Sequence, residues 1–227
     1  MRLHTGYEEY SHSVCRAFYV CFQTEKDEKM TKLYFVRHAQ TDYSNPVDKE
    51  RPLTKEGMQD RFLAKEYFVT HDIMKRITHV YASDFQRAMD TVAPIADALG
   101  KRVEPKEAFR EWTLIAPADI YYETAQRAWE NFDYRYADCE TLHEVQTRNI
   151  RQLEQLLQEH ENETIVIGTH GTALSTIIQY YQPEYNYQNF LQIMEYKPWI
   201  VRFEFDKSGF LGWQECFRHE LNIEKST

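Results

Sequence analysis

Four side chains of this 227-residue chain can do chemistry together because each follows a compact apolar run. Arg37 and His38 follow Leu33 to Val36, Arg87 lies just beyond the run 78–82, and His170 follows Thr164 to Gly168. In open α/β sheets ligands bind at the carboxyl ends of the strands, so these four groups are expected on one rim. Gly171 and Thr172 come next and open a helix, whose free N–H groups favour an anion. Guanidinium forks match phosphate oxygens two at a time. Two arginines, two histidines and a helix N-terminus together suit a phosphate group. A single strand-end histidine is usually structural, but that reading must here account for four residues at equivalent topological positions.

The elements that must position these groups alternate between strand and helix. Leu33 to Val36 reads as a buried strand. Thr54 can cap a helix whose apolar positions Met58, Phe62 and Val69 recur at helical spacing. Thr78 to Ala82 is a second strand, followed by a helix capped by Ser83 or Asp84. Ala88, Val92, Ile95 and Leu99 share a face of that helix, Pro94 should kink it, and Gly100 should stop it. Residues 112–140 are less regular and hold Tyr121, Tyr122, Trp129, Phe132, Tyr134 and Tyr136, mostly read as helix-packing aromatics. Leu142, Val145, Asn149 or Ile150, Leu153 and Leu156 then line one side of a long helix. Thr164 to Gly168 is a strand, Thr172 to Tyr181 a helix, and Trp199, Val201, Phe203 and Phe205 alternate along a half-buried strand. Asp206-Lys207-Ser208-Gly209 turns the chain into a hairpin. The expected fold is therefore α/β: a mostly parallel sheet with helices on both faces, a C-terminal β-hairpin, and a helical, aromatic lid insertion at about 112–140. Residues 1–29 read as a loosely ordered extension, with Met30 as a plausible start and 30–227 as the functional domain.

The run Leu33-Tyr34-Phe35-Val36-Arg37-His38-Ala39-Gln40-Thr41 resembles the signature of the histidine phosphatase superfamily, the phosphoglycerate mutase-like fold. The resemblance continues through Arg51-Pro52-Leu53-Thr54-Lys55-Glu56-Gly57, Tyr81-Ala82-Ser83-Asp84-Phe85-Gln86-Arg87-Ala88 and Gly168-Thr169-His170-Gly171. Phe109-Arg110-Glu111 is similar to the family's Leu-Arg-Glu element, and Cys139-Glu140-Thr141 with Arg148 stands in the place of its Gly-Glu-Ser…Arg element. Ala39 and Cys139 replace family glycines. The resemblance implies that His38 is a nucleophile forming a phosphohistidine, that Arg37, Arg87 and His170 hold the phosphoryl group, and that Glu111 is the acid and base. It implies supporting substrate contacts from Ser44 and Asn45, beside Gly171 and Thr172. It implies a histidine acid phosphatase-type phosphomonoesterase, with no metal and no cofactor, acting on a small phosphorylated metabolite.

Composition limits the alternatives. Hydrophobic residues make up 42% and no apolar run reaches the roughly 20 residues of a membrane span. A net charge of −9 disfavours nucleic acid and anionic membranes as partners. Cys15, Cys21, Cys139 and Cys216 form no close pair, which fits reduced thiols and a cytoplasmic location. His71, His79, His143, His160 and His219 lack ligand-like spacing and read as surface or satisfied histidines. A homodimer is compatible with all of this. Two rival readings remain: a cofactor-dependent phosphoglycerate mutase, and a non-catalytic module that binds a phospho-ligand. Residues 112–147 carry Arg127 and Arg135 against Asp119, Glu123, Glu130, Asp133, Asp138, Glu140 and Glu144. That imbalance favours hydrolysis over retention of a polyanionic intermediate, provided the carboxylates face the pocket.

Overall fold

The computed structural model describes residues 29–117 and 119–221. The expected extension, apart from Lys29, lies outside the described residues. The elements run β1 (Thr31–Arg37), α1 (Lys55–Thr70), β2 (Ile77–Ala82), α2 (Gln86–Ala98), β3 (Glu104–Pro105), α3 (Tyr121–Glu130), α4 (Leu142–Glu159), β4 (Thr164–Thr169), α5 (Gly171–Tyr181), α6 (Tyr187–Gln192), β5 (Tyr196–Asp206) and β6 (Gly209–Glu220). They form one six-stranded sheet in the order β3-β2-β4-β1-β5-β6. The first four strands of that order are parallel, and β5 and then β6 extend the sheet antiparallel beyond β1. No helix is long and apolar enough to cross a membrane, among the described residues.

Strand periodicity sorts the core into two halves. Leu33 and Phe35 point to one face, where Leu153, Leu156, Leu174 and Phe203 meet them. Tyr34 and Val36 point to the other, against Phe68, Val92 and Ile95. Alternate burial on both faces is what a covered parallel strand requires. The helix at 142–159 buries the residues its spacing predicts, Leu142, Val145, Asn149, Ile150, Leu153 and Leu156.

Two helix expectations are corrected. Met58, Phe62 and Val69 are exposed, and α1 instead buries Gly57, Ala64 and Phe68. The cause is Gly57, where an added Cβ would lie 2.2 Å from the Gln40 carbonyl oxygen. That close approach turns the Gly57 face inward and the more apolar face outward. Thr54 does cap α1, accepting from the Gly57 N–H at 2.9 Å. For α2, neither Ser83 nor Asp84 is the cap; Phe85 occupies that position with no side-chain cap. Ser83 is engaged elsewhere, beside His170. Pro94 sits inside α2, which runs on to Ala98. Proline leaves the carbonyl four residues earlier without its helical donor, and Arg61 donates to that Asp90 oxygen at 3.3 Å. Two elements escaped the sequence reading: the two-residue β3 and the short α6, capped by Asn186.

Candidate active site

Sheet register brings the chemical groups together. Arg37 pairs with Thr169 across β1 and β4, so Arg37-His38 and His170 leave adjacent strands side by side. The His38 N–H donates to the Thr169 carbonyl at 3.0 Å, and the Ser83 N–H to the Gly168 carbonyl at 2.8 Å. Arg87 enters from the first turn of α2. Arg37, His38, Arg87 and His170 are each at most 4% exposed, and the two imidazole centroids lie 5.2 Å apart.

The tautomer of His38 follows from its neighbours. Its Nδ1 lies 2.7 Å from the Ala39 carbonyl, which can only accept, so Nδ1 carries the proton. Nε2 is left with a free lone pair. Burial, then the charges of Arg87, Arg37 and Lys197, hold the His38 pKa well below its ordinary value. A neutral imidazole with an open nitrogen can attack an electrophile. Burial and Arg87 likewise hold His170 neutral. Its Nε2 lies 2.8 Å from the Ser83 hydroxyl, while its Nδ1 is buried without a partner.

The arginines are fixed by backbone. Arg37 Nη1 donates to the Ile193 carbonyl and, at 3.4 Å, to that of Tyr196, leaving its buried Nε unpartnered. Its guanidinium lies flat against Gly171, where a Cβ would come within 3.0 Å of Nη2. Gly171 therefore supplies clearance for Arg37. Arg87 Nη1 donates to the Asp48 carbonyl at 2.7 Å, lies 3.1 Å from the Asp48 carboxylate, and sits 4.9 Å over the Phe85 ring. Unpartnered buried donors are rare in folded proteins. Arg37 Nε and His170 Nδ1 are two buried nitrogens without a partner, in the two residues that flank His38.

Glu111 closes the site from the side of α5. Its carboxylate accepts from the N–H groups of Trp112, Thr172 and Ala173 at 2.8, 3.2 and 3.1 Å. The N–H of Thr172 expected to meet substrate is thus engaged by Glu111. Arg148 anchors this segment, donating to the carbonyls of Ala108, Arg110 and Glu111 and pairing with Glu140 at 2.7 Å. Thr141 serves as the N-cap of α4, in a capping box with Glu144. Ser44 and Asn45 lie in the loop after β1 and shape local turns: the Ser44 N–H donates to Asp42, and the Asn45 side chain accepts from Val47.

Sequence reasoning missed Lys197. It is the second residue of β5, two before the Trp199 that pairs with Arg37, is 8% exposed, and lies 5.9 Å from the Tyr43 ring centroid. Burial first, then Arg37 and Arg87, lower its pKa to about 7. Tyr43, Tyr121 and Tyr185 lie within electrostatic reach of Arg37. Of the aromatics in 112–140, Tyr121 lies by the site, whereas Trp129 packs on Phe190 and Phe132 in the core. The one available signal for Lys197 was a lysine inside the run Tyr196-Lys197-Pro198-Trp199. His79 and His160 also meet, with Glu163, at the opposite end of the sheet.

Known proteins share this arrangement at the level of fold and family. A solved mycobacterial hydrolase superposes with a TM-score of 0.65 at 18% identity, covering 85% of this chain and 100% of its own. The native structure of a mycobacterial glucosyl-3-phosphoglycerate phosphatase gives 0.61 at 18% identity, covering 82% of this chain and 97% of its own. Among sequence relatives, a protein provisionally named phosphoserine phosphatase 2 from Hydrogenobacter thermophilus is 26% identical over 170 residues, 66% of this chain and 77% of the relative. Phosphoglycerate mutase-like protein 4 of Arabidopsis thaliana is 26% identical over 171 residues, 70% of this chain and 74% of the relative. The model of the histidine phosphatase superfamily (branch 1) matches residues 33–212, which span β1, β4 and every group described above. The chain belongs to the histidine phosphatase superfamily.

Proposed function

We propose that the protein hydrolyses a small phosphomonoester through a phosphohistidine on His38, without a metal. The observation that carries this reading is the neutral His38, with Nε2 free, held between the buried Arg37, Arg87 and His170 side chains. His38 Nε2 attacks phosphorus, and the bond to the ester oxygen breaks. Glu111 in its protonated form gives its proton to the departing alkoxide. Arg37, Arg87 and His170 hold the equatorial oxygens, where fixed positive groups stabilise charge in transfer. Water then attacks the phosphohistidine and passes a proton to the Glu111 carboxylate. Alcohol and orthophosphate leave, and both residues return to their starting state. Relatives and neighbours support the chemical class: one is named for phosphoserine, a related fold was solved with phosphoserine, and another with inorganic phosphate. We place the activity in the cytoplasm, with residues 112–140 as the lid.

The mutase reading requires a second anion site able to retain a bisphosphorylated intermediate. The lid carboxylates do not decide this, because they are exposed or paired: Glu123 with Arg127, Glu144 with Arg135, and Glu140 with Arg110 and Arg148. The same pairs engage both lid cations, Arg127 and Arg135. That supports hydrolysis. The test is to supply 3-phosphoglycerate with catalytic 2,3-bisphosphoglycerate and follow 2-phosphoglycerate and free phosphate together. Phosphate should appear faster; isomer outrunning it would make the protein a mutase. Neither product, with no turnover across a panel of phosphate esters, would leave a binding module.

Two further results are expected. Hydrolysis should continue undiminished under a strong chelator at the assay temperature, and a loss restored by a divalent ion would contradict the metal-free route. Lys197 should shape the pH profile, because kcat/KM reports groups of the free enzyme. With its pKa near 7, Lys197 loses its charge as pH rises through neutrality. Affinity for a phosphate dianion should fall over the same range, so kcat/KM declines while kcat changes less. Lys197→Met should flatten that limb; an unchanged profile in the variant would remove Lys197 from substrate binding.

A further inference from the structure

A second cluster of ligating side chains stands at the amino-terminal end of the sheet. His79 lies on β2, His160 caps the C-terminus of α4, and Glu163 directly precedes β4. Glu163 and His170 bracket β4, so the cluster sits roughly 20 Å from the candidate active site by strand rise. The three donor atoms lie within 4.8 Å of one another. Glu163 Oε2 is 3.4 Å from both His79 Nε2 and His160 Nδ1. That spacing exceeds the usual N–H···O range, and Oε2 is buried without a hydrogen-bond partner.

The far sides of both rings meet a single hydroxyl. Tyr81 Oη lies 2.9 Å from His160 Nε2 and 3.4 Å from His79 Nδ1. A phenol oxygen can accept from both ring N–H groups. In the tautomers that place both ring protons on this hydroxyl, His79 Nε2 and His160 Nδ1 turn lone pairs toward Glu163 Oε2. In those tautomers two lone pairs and a carboxylate oxygen converge on one point, an arrangement that suits a bound cation. Ligand bonds of about 2.0–2.1 Å in a tetrahedral site set neighbouring donors about 3.4 Å apart, the separation found from Glu163 Oε2 to each imidazole nitrogen. Tyr81 also matches the outer hydrogen-bond partner that fixes a ligating histidine's tautomer.

We propose that His79, His160 and Glu163 form a site for a divalent transition ion of the zinc class. Two imidazoles and one carboxylate suit zinc better than the all-oxygen shells of magnesium or calcium. The side chains of His79, His160 and Glu163 are 33%, 11% and 32% exposed, so the cluster lies close to the surface. The ion would tie the connection between α4 and β4 to β2. It would take no part in phosphoryl transfer.

The test uses untagged full-length protein stripped with a chelator and titrated with Zn²⁺ alone, then with Co²⁺ followed by visible absorption. One ion per chain should bind, and the melting temperature should rise with Zn²⁺ concentration. His79→Ala and Glu163→Gln should each weaken binding more than tenfold, and Tyr81→Phe by about 10–100-fold, the scale of a lost outer partner. Circular dichroism of the metal-free variants checks that they fold. His38→Ala should bind as wild type. No saturable binding, binding unchanged in the folded His79→Ala and Glu163→Gln proteins, or binding lost in His38→Ala would each overturn the site. Phosphatase assays run on the same metal-free protein keep this outcome separate from the proposed hydrolysis.

Discussion

His38→Ala is expected to cut phosphomonoester hydrolysis by at least about 10⁴-fold, the scale seen when a covalent nucleophile is lost. No other described side chain can replace it. His170 has an unpartnered Nδ1 on the same rim, but its Nε2 is engaged by Ser83, and in the proposed mechanism it holds the phosphoryl oxygens. Rapid quench with labelled substrate should trap an acid-labile phosphoprotein in the wild type and none in the variant. A variant that still takes up label at the wild-type rate would falsify the nucleophile assignment. Folding should survive, because the side chain lines a polar pocket that water can fill once the imidazole is gone.

The same substitution carries a second, independent signature in acid stability. The folded state keeps His38 neutral well below its ordinary pKa, chiefly through burial and the neighbouring arginines. Below about pH 6.5 the unfolded chain therefore binds a proton that the folded chain does not. Stability from this group is complete above that pH and falls as pH drops, by up to about 1.4 kcal/mol per unit. His38→Ala removes this penalty. The variant's melting temperature should fall less steeply between pH 6.5 and 5 than the wild type's. His170, held neutral in the same way, keeps part of the slope in both proteins.

What could be read from sequence was what lies within a few residues of a strand end. Arg37, His38 and His170 follow apolar runs, and parallel pairing of β1 with β4 makes those ends neighbours. Arg87 was legible because a first helical turn after β2 points back to the same rim. Lys197 was not. It reaches the site only because β5 folds back antiparallel on β1, setting Trp199 opposite Arg37, and no local pattern encodes which strand pairs there. Ile193, whose carbonyl fixes Arg37, lies just past the short α6 and was missed for the same reason. The inward face of α1 was misread because a backbone contact, Gly57 on Gln40, outweighed the distribution of large apolar residues. The sequence pointed the helix N-terminus at a phosphate, and in the structure two of its N–H groups, those of Thr172 and Ala173, meet Glu111. Glu111 arrives from a remote segment held by Arg148.

That arrangement makes Glu111→Gln the most discriminating substitution. Arg148 grips the backbone of Ala108, Arg110 and Glu111, so the segment should stay in place whatever the side chain carries. Glutamine retains an oxygen that can accept from part of the N–H set of Trp112, Thr172 and Ala173, but it cannot give or take a proton. For an alkyl phosphate both steps need that proton, and hydrolysis should drop by about 10²–10⁴-fold, the usual worth of a positioned acid–base. For an aryl phosphate the leaving phenolate is stable without protonation, so the first step should remain fast. Attack by water still lacks its base. The variant should therefore release about one equivalent of phenolate per chain in a burst, then turn over slowly with the phosphohistidine accumulated. Equal losses on both esters, with no burst, would mean that Glu111 only fastens the start of α5. Glu107, exposed in the short helical turn that ends at Phe109, would then be the first substitute to test as the acid.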